Sequence, residues 1–216
     1  MATTVLNRFR PVVQPRLPAA PVEYSAQYQE QYSNVLRLYF NQLEGLLNSL
    51  SDETGGRFIR FPYGAFSSDQ DQTTTANTAT LMTLNTTDFA NGVSISSSKI
   101  TVANAGMYNL QFSVQLESTD TAPQDVYIWL KQNGTDITGS TGKVGMPARK
   151  SALDPFHAIY GWNYFLDMAA DDYVEIYWST TNANVTIQYY AASGTPTKPS
   201  TQSVVATLSF VSAPST

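Results

Sequence analysis

A strict two-residue repeat within residues 91–117 constrains the fold of this chain more than any other feature. From Tyr108 to Glu117, apolar and polar side chains alternate without a break. The apolar set is Tyr108, Leu110, Phe112, Val114 and Leu116. The polar set is Asn109, Gln111, Ser113, Gln115 and Glu117. Because successive side chains of a strand point to opposite faces, this repeat predicts one long β-strand with one apolar face. That face must be covered, so we expect a second sheet to pack against it.

Shorter segments with strand character fill the rest of residues 57–216. They alternate with turn signals such as Asn91-Gly92, Asn104-Ala105-Gly106 and Asn133-Gly134. Their spacing is that of a β-sandwich of about eight to ten strands. Residues 135–155 contain several glycines and prolines, which predicts a long loop or a weak edge strand. We therefore expect residues 57–216 to form a mainly β, jelly-roll-like sandwich head.

Residues 25–56 follow a different period. A heptad seam with spacings of 4, 3, 4, 3 and 4 is formed by Tyr32, Leu36, Tyr39, Leu43, Leu46 and Leu50. This spacing predicts an amphipathic, coiled-coil-like helix of about 25 residues, which the sequence DETGG at 52–56 ends. Further apolar residues widen the stripe beyond what a two-stranded coil needs, which favours a three-helix stem. A single helix lying against its own head is the alternative.

Residues 1–24 form a proline-rich segment with three arginines and one glutamate, a local charge of +2. Four prolines bias the backbone toward extended geometry. Apolar residues recur among the basic ones, so we predict an extended arm that docks on another protein rather than a disordered tail. The docking residues predicted for this arm are Arg8, Phe9, Arg10 and Arg16.

Composition limits the classes of function. The chain has no cysteine, which excludes disulfides and thiolate chemistry, and only 13% of its residues are charged, as in proteins that form assemblies. The N-terminus lacks the apolar block of a secretory signal, and no run approaches the roughly 18 apolar residues of a membrane helix. Residues 62–216 carry 6 basic and 12 acidic side chains. This net negative charge repels phosphate, so we expect neither a nucleic-acid partner nor membrane insertion.

The residue types needed for catalysis are sparse. His157 is the only histidine, and no Gly-x-Ser-x-Gly motif is present. We therefore expect no enzymatic activity, no catalytic residue, no metal and no cofactor. Asp69 and Asp71 begin like a calcium loop but lack its glycine and distal glutamate. Aromatic residues that could stack on sugars are Tyr160, Trp162, Tyr164, Tyr189 and Tyr190, although packing in a core or a subunit interface accounts for them better.

Four stretches carry a resemblance to a known family. They are Gly64-Ala65-Phe66, Ile100 to Tyr108 with Ala105-Gly106 inside it, the strand from Val126 to the Asn133-Gly134 turn, and Phe165-Leu166 followed by Asp171-Asp172-Tyr173-Val174. Over residues 62–212 this order resembles the tumour necrosis factor and complement component-q superfamily. The resemblance implies a ten-stranded jelly roll that trimerises through one sheet. Asp171 stands where the family usually has glycine, which leaves the type of that turn open.

Within that superfamily, the chain looks most like the heads of bacteriophage virion proteins. This likeness implies a homotrimer located in the virion, either a fibre or spike that contacts the host or a capsid decoration. It also implies contacts with other virion proteins through residues 1–24. Residues expected to line the threefold axis are Gln111, Ser113, Gln115, Tyr173, Glu175 and Tyr177. A host surface glycan is a further candidate partner. The alternative is a glycan-binding module or a polysaccharide hydrolase with a trimeric jelly-roll head.

Overall fold

The computed structural model of the protein describes residues 12–51 and 61–212. These residues fall into two compact units, one within Met1–Arg60 and the other within Phe61–Thr216. The described elements follow in chain order as α1 (Ala26–Ser51), β1 (Tyr63–Ser68), β2 (Thr80–Leu81), β3 (Thr86–Asn91), β4 (Val93–Ser96), β5 (Lys99–Val102), β6 (Gly106–Ser118), β7 (Gln124–Gln132), β8 (Thr135–Asp136), β9 (Gly142–Met146), β10 (Phe156–Met168), β11 (Tyr173–Thr180), β12 (Val185–Ile187), β13 (Ser193–Gly194), β14 (Thr197–Lys198) and β15 (Val204–Ser212). The described chain is mainly β with one helix, as the sequence predicts.

Helix α1 belongs to the first unit and begins after Ser25. The hydroxyl of Ser25 accepts a hydrogen bond from the backbone N–H of Tyr28 at 3.3 Å, which satisfies one donor of the first turn. The seam residues whose side chains are described are all half-buried, namely Tyr32, Leu36, Tyr39, Leu43 and Leu46. Leu50 lies within the helix, but its side chain is outside the described residues. The predicted start and length of the helix are confirmed to within about one residue.

The second unit consists of two antiparallel sheets and one small hairpin. The six-stranded sheet has the order β10-β6-β15-β1-β3, with β12 also paired to β6. The seven-stranded sheet has the order β4-β5-β11-β7-β8, with β2 paired to β11 and β9 paired to β7. Strands β13 and β14 form the separate hairpin. The longest ladder joins β6 to β10 over thirteen residue pairs, from Gly106 opposite Met168 to Ser118 opposite Phe156.

One hydrophobic core lies between the two sheets. The alternating strand β6 contributes its apolar set to this core, and each of those side chains is at most 5% exposed: Tyr108, Leu110, Phe112, Val114 and Leu116. The seven-stranded sheet contributes Ile128, Leu130, Ile176 and Trp178 from the other side. The prediction that a second sheet covers the apolar face of residues 108–117 is therefore confirmed.

Several turns have the backbone geometry that their residues favour. Asn133 and Gly134 both have positive φ and join β7 to β8, as the sequence predicts. Asp171 has φ of 66°, a left-handed conformation that glycine adopts most easily and aspartate tolerates. Of the two alternatives predicted for residues 135–155, the edge strand is confirmed, because β8 and β9 each pair only with β7 among the described residues. Strand β3 is not predicted, because its residues carry no apolar alternation.

The first and last described residues of the second unit, Phe61 and Ser212, lie close together at the same end of the two sheets. The backbone N–H of Phe210 donates to the carbonyl of Pro62 at 2.9 Å, and β6 begins beside them at Gly106. We call this end the base. The opposite end, which we call the tip, carries the loops 69–79, 119–123, 147–155, 181–184 and 188–203. The loops of the tip are therefore on the far side of the head from the point where the chain enters it.

Candidate functional site

Strand β10 is an exposed edge with apolar side chains on both faces. Among the described residues it pairs only with β6, and it extends over thirteen residues. On its outward face Ile159 is 66% exposed and Phe165 is 53% exposed. Long apolar edge strands invite pairing with other chains, and natural proteins usually protect them with lysine or proline. Strand β10 contains neither residue, so it lacks this protection.

The outward side chains of β6, β10 and β15 form what we call the six-stranded face. Its centre is polar, because Gln111 lies opposite Asn163 and Ser113 lies opposite Gly161. Val205 is exposed on the neighbouring strand β15. The side-chain oxygen of Asn109 is buried and has no hydrogen-bond partner among the described residues. Since buried polar atoms are almost always paired, this oxygen is incompletely satisfied in a single chain.

A second apolar group lies at the base, near the other edge of the same sheet. Phe89 is 62% exposed and contacts the ring of Tyr63 at a centroid distance of 6.1 Å. Phe61 stacks on Phe210 at 6.0 Å, and Val211 is exposed beside them. We call Tyr63, Phe89 and Val211 the corner patch. The six-stranded sheet thus has exposed apolar side chains near both of its edges.

The outward side chains of the other sheet, which we call the seven-stranded face, have a different character. Three lysines lie over tyrosine rings: Lys99 is 4.2 Å from the ring centroid of Tyr173, Lys131 is 4.5 Å from that of Tyr177, and Lys143 is 5.7 Å from that of Tyr127. Asp125 pairs with Lys143 at 2.9 Å, and this hydrogen bond raises the pKa of the lysine. The indole N–H of Trp129 donates to Asp136 at 2.7 Å. Long lysine stems shield apolar rings from water, so this face is covered within a single chain.

The six residues predicted to line a threefold axis do not share one surface. Gln111, Ser113 and Gln115 lie on the six-stranded face, as expected for a common surface. Tyr173, Glu175 and Tyr177 lie on β11, whose inward residues Val174, Ile176 and Trp178 belong to the core. The second group therefore lies on the seven-stranded face, on the other side of the core. The two groups are on opposite faces because the repeat shows which residues share a strand face but not which sheet each strand joins, and the placement of either group on a threefold axis stays a prediction.

One polar cluster lies at the tip end of the six-stranded face. The hydroxyl of Tyr190 is 2.9 Å from Nδ1 of His157 and donates to Oε2 of Glu117 at 3.2 Å. Burial, followed by the neighbouring Glu117 carboxylate, raises the pKa of Tyr190 to about 12. Nδ1 of His157 is also 3.5 Å from Glu117, and the imidazole is half exposed. The cluster ties the loop 188–203 to strands β6 and β10.

Three of the five aromatic residues considered for sugar stacking point inward. Tyr160, Trp162 and Tyr164 alternate with the outward residues of β10 and pack against the core. Trp162 contacts Phe112 at a centroid distance of 4.8 Å and lies over Gly142, where a Cβ would approach within 2.7 Å of the indole. These rings close the side of the head between the two sheets. The interpretation of these residues as packing residues is therefore confirmed for Tyr160, Trp162 and Tyr164.

Asp69 and Asp71, which begin like a calcium loop, and Asp172 all make hydrogen bonds that fasten loops. Asp69 accepts from the side chain of Asn85 at 2.6 Å, and Asp71 accepts from the backbone N–H of Tyr189 at 2.8 Å. Asp172 accepts from Asn133 at 2.7 Å and also from Gln132 and the backbone N–H of Ala169. The hydrogen bond from Asn133 is the main cause that lowers the pKa of Asp172. Within residues 12–51 and 61–212, no group of three potential ligands is placed to hold a metal ion.

The predicted arm residues are described only in part. Arg8, Phe9 and Arg10 lie outside the described residues, and Arg16 is exposed. On the helix, the apolar residues Leu38, Phe40 and Leu47 are exposed in addition to the half-buried seam. Within residues 12–51 and 61–212, the helix of the first unit and the six-stranded face of the second both carry exposed apolar side chains.

A groove of about 660 Å³ lies at the tip, between the start of β7 and the end of β9. Its lining residues are Pro123, Gln124, Asp125, Gly145, Met146, Pro147 and Thr181. The sequence did not predict this groove, because its lining comes from three segments that are far apart in the chain, at residues 123–125, 145–147 and 181. The sequence analysis did not single out the exposed residues Ile159 and Phe165 either. Apolar residues do occur on both alternating faces of residues 156–168, and this pattern is the signal that could have identified them.

The one described helix lacks the long apolar stretch that crossing a bilayer requires. No model of a known protein family matches the chain, and no curated protein sequence matches it significantly. A function for this chain must therefore be argued from its own surfaces.

Proposed function

We propose that the chain is a homotrimeric structural protein of a bacteriophage particle, with a jelly-roll head, a helical stem and an N-terminal arm that attaches it to the virion. The observation that carries the trimer is the difference between the two outer faces of the head. The seven-stranded face is covered by its own lysines, whereas the six-stranded face exposes Ile159, Phe165 and Val205. Exposed large apolar side chains gathered on one face favour association through that face.

The order of the strands supports the jelly-roll assignment. Ten strands have four or more residues, and five of these belong to each sheet: β3, β1, β15, β6 and β10 in one, and β4, β5, β11, β7 and β9 in the other. Consecutive strands change sheets repeatedly, as in the steps from β6 to β7, from β9 to β10 and from β10 to β11. Connections of this type make Greek keys rather than meanders. The count of ten also agrees with the family that the sequence resembles.

A closed ring of three copies requires two different surfaces on each copy, because its interfaces are heterologous. The six-stranded sheet offers such a pair. One surface is the β10 edge with Ile159 and Phe165, and the other is the corner patch of Tyr63, Phe89 and Val211. Burial of a large apolar side chain contributes about 1.5–3 kcal/mol, so a few such residues stabilise the ring appreciably.

The helix and the arm extend this arrangement toward the particle. Three copies of α1, joined along Tyr32, Leu36, Tyr39, Leu43 and Leu46, would bury the half-exposed seam in a three-helix bundle. The arm carries a charge of +2, which suits an acidic surface on another virion protein. The tip loops face away from the base, so the head would display them outward.

The mass of the protein in solution tests the trimer. Light scattering at micromolar concentration is expected to give about 71 kDa, three times the 23.7 kDa of one chain. A mass of one chain would overturn the proposal, because the apolar surfaces would then stay exposed in the working protein.

A pair of variants tests which face forms the trimer. The double substitution Ile159→Glu and Phe165→Glu is expected to give monomers that keep the far-UV circular dichroism of the wild type. The control is Leu153→Glu, which places the same charge at a loop residue that is 95% exposed. The control should stay trimeric. A trimeric double variant would show that another surface makes the contact.

Placement in a virion needs its own experiment. Antibodies against the head should label purified particles of the phage that encodes the chain, and a chain lacking residues 1–20 should no longer be incorporated. Particles without label would contradict the virion assignment while leaving the trimer intact. A decoration protein would protect capsids against heat, whereas a fibre would support adsorption to the host.

A further inference from the structure

The groove at the tip lies over the outer side of β9, the strand that pairs with the first half of β7. Gly145 of β9 lies opposite Asp125 of β7. Pro123, which precedes β7, and Pro147, which follows β9, also line the groove. Its volume of about 660 Å³ is in the range of small-ligand sites. The groove is open to solvent and lies at the end of the head opposite the described chain ends.

Gly145 is a glycine without a structural reason within the described chain. The φ angle of Gly145 is not positive, and a Cβ at this position would meet no atom within 4 Å. Glycine inside a strand is destabilising relative to alanine, and it often marks a place where a ligand approaches the backbone closely. By contrast, Gly142 in the same strand is required by the indole of Trp162. The empty space above Gly145 is therefore available to a molecule from outside.

The polar atoms around this space are held in fixed positions. The hydroxyl of Thr181 donates to Oε1 of Gln124 at 2.7 Å and accepts from the backbone N–H of Asp125 at 2.9 Å. Oδ2 of Asp125 pairs with Lys143 at 2.9 Å. Its second oxygen makes no hydrogen bond to the rest of the described chain. The groove thus combines amide, hydroxyl and carboxylate groups that have little freedom to rotate.

The charge of the groove favours an uncharged ligand. Asp125 is the one ionisable residue in its lining, and Lys143 compensates its charge. An anionic ligand would meet a carboxylate with no unpaired cation to offset it. Hydroxyl groups can donate to Asp125 and Gln124, and the rings of Pro123 and Pro147 offer apolar contact for C–H faces. We propose that this groove binds a neutral glycan, which would be the host contact of the displayed head and so rests on the proposed function.

A peptide is a different kind of occupant that the same region offers. The outer edge of β9 is unpaired among the described residues, so an added strand would lie beside it. The lining residues Asp125 and Thr181 lie on the β7 side of β9, however, so the groove extends over the face of the sheet and not along the free edge of β9. The geometry therefore favours the glycan.

The full-length chain on a printed array of neutral and acidic oligosaccharides tests the proposal. Binding to one or more neutral oligosaccharides is expected. The best binder is then titrated by calorimetry against Gly145→Leu, whose Cβ meets no atom within 4 Å and whose longer side chain would occupy the groove. This substitution should weaken binding at least about tenfold and leave the Tm unchanged. If leucine lowers the Tm, Gly145→Ser supplies the same test with a smaller group.

Gly194 provides a matched control, because a Cβ at this exposed residue also meets no atom within 4 Å. Gly194→Leu should bind like the wild type. The proposal is overturned if no neutral oligosaccharide binds, if only acidic ones bind, or if Gly145→Leu binds unchanged. The solution mass is measured on the same samples, so that a trimer without glycan binding refutes the groove alone, and a monomer that binds glycan refutes the trimer alone.

Discussion

The two outer faces of the head are built from similar strands but end in different surfaces. The strands of the seven-stranded sheet contain Lys99, Lys131 and Lys143, and each lysine lies over a tyrosine. The strands of the six-stranded sheet contain neither lysine nor arginine, and their exposed residues include Ile159 and Phe165. Both faces have aromatic and apolar side chains. The difference lies in what covers them.

Under the proposed trimer, this difference would separate a surface that stays in water from a surface that makes contact. A lysine stem shields a ring while its ammonium group stays hydrated, so a covered face gains little from association. A face with no such cover gains the full burial energy of its apolar residues when a second copy arrives. The predictions below test this contrast, from the largest expected effect to the smallest.

The largest loss of stability is expected when Gly161 in the edge strand β10 is replaced by alanine, and Gly145 in the edge strand β9 of the other sheet provides the comparison. A Cβ at Gly161 would approach within 2.2 Å of the carbonyl oxygen of Phe112, which belongs to the neighbouring strand. Gly161→Ala should therefore force β10 away from β6 and lower the free energy of unfolding by about 3 kcal/mol. Gly145→Ala, where no atom lies within 4 Å, should leave it unchanged or slightly higher. Urea titrations measure both, and equal midpoints would show that the edge of the six-stranded sheet tolerates movement.

The next largest loss of stability is expected at the turn of residues 169–172, which joins β10 of the six-stranded sheet to β11 of the seven-stranded sheet. Asp172 holds this turn through Asn133, Gln132 and the N–H of Ala169. Asp172→Ala should lower the free energy of unfolding by about 1–2 kcal/mol at pH 7, because it removes three hydrogen bonds to a carboxylate.

The pH dependence of this effect follows from the lowered pKa of Asp172. A carboxyl group whose pKa is lower in the folded state stabilises the protein above its unfolded pKa of about 4, and this contribution is lost as the pH falls. The difference in Tm between the wild type and Asp172→Ala should therefore shrink below about pH 4. A difference that stays constant down to pH 2 would assign the effect to lost packing instead.

The sequence predicts those parts of the fold that local patterns determine. The two-residue repeat of 108–117, the helix and the Asn133-Gly134 turn all follow from spacing and turn chemistry, and all are present. Strand β3 was missed because its residues are mostly exposed and do not alternate. Its pairing with β1 is a long-range hydrogen-bond pattern that composition does not record.

The candidate surfaces were predictable only in part, for the same reason. The alternation in β6 identifies Gln111, Ser113 and Gln115 as outward, but it does not say that Tyr173 and Tyr177 belong to the opposite face. That assignment depends on the order of strands, which is set by contacts far apart in sequence. The lysine cover is likewise invisible in sequence, because Lys99 and Tyr173 are separated by many residues.

A smaller effect is expected at the one polar cluster on the six-stranded face. Tyr190→Phe removes the hydroxyl shared by Glu117 and His157 and should cost about 1 kcal/mol of stability. The pKa of Tyr190, raised to about 12, also gives a pH signature. Because the folded pKa is above the unfolded value of about 10, this contribution is complete below pH 10 and is lost as the pH rises toward 12. The difference in absorbance at 295 nm between wild type and variant should show one tyrosine ionising near pH 12, and ionisation near pH 10 would mean that the cluster is open.

The smallest effect is expected on the covered face. Lys131→Ala removes a cation from the ring of Tyr177 and an ion pair with Asp136 at 3.4 Å. Exposed contacts of these kinds contribute about 0.5–1 kcal/mol, so the free energy of unfolding should fall by no more than that. The solution mass should not change, in contrast to Ile159→Glu with Phe165→Glu, because the lysine belongs to a surface that stays in water. If Lys131→Ala alone alters the mass, the seven-stranded face takes part in association, and the contrast between a covered and an uncovered face no longer explains where the copies meet.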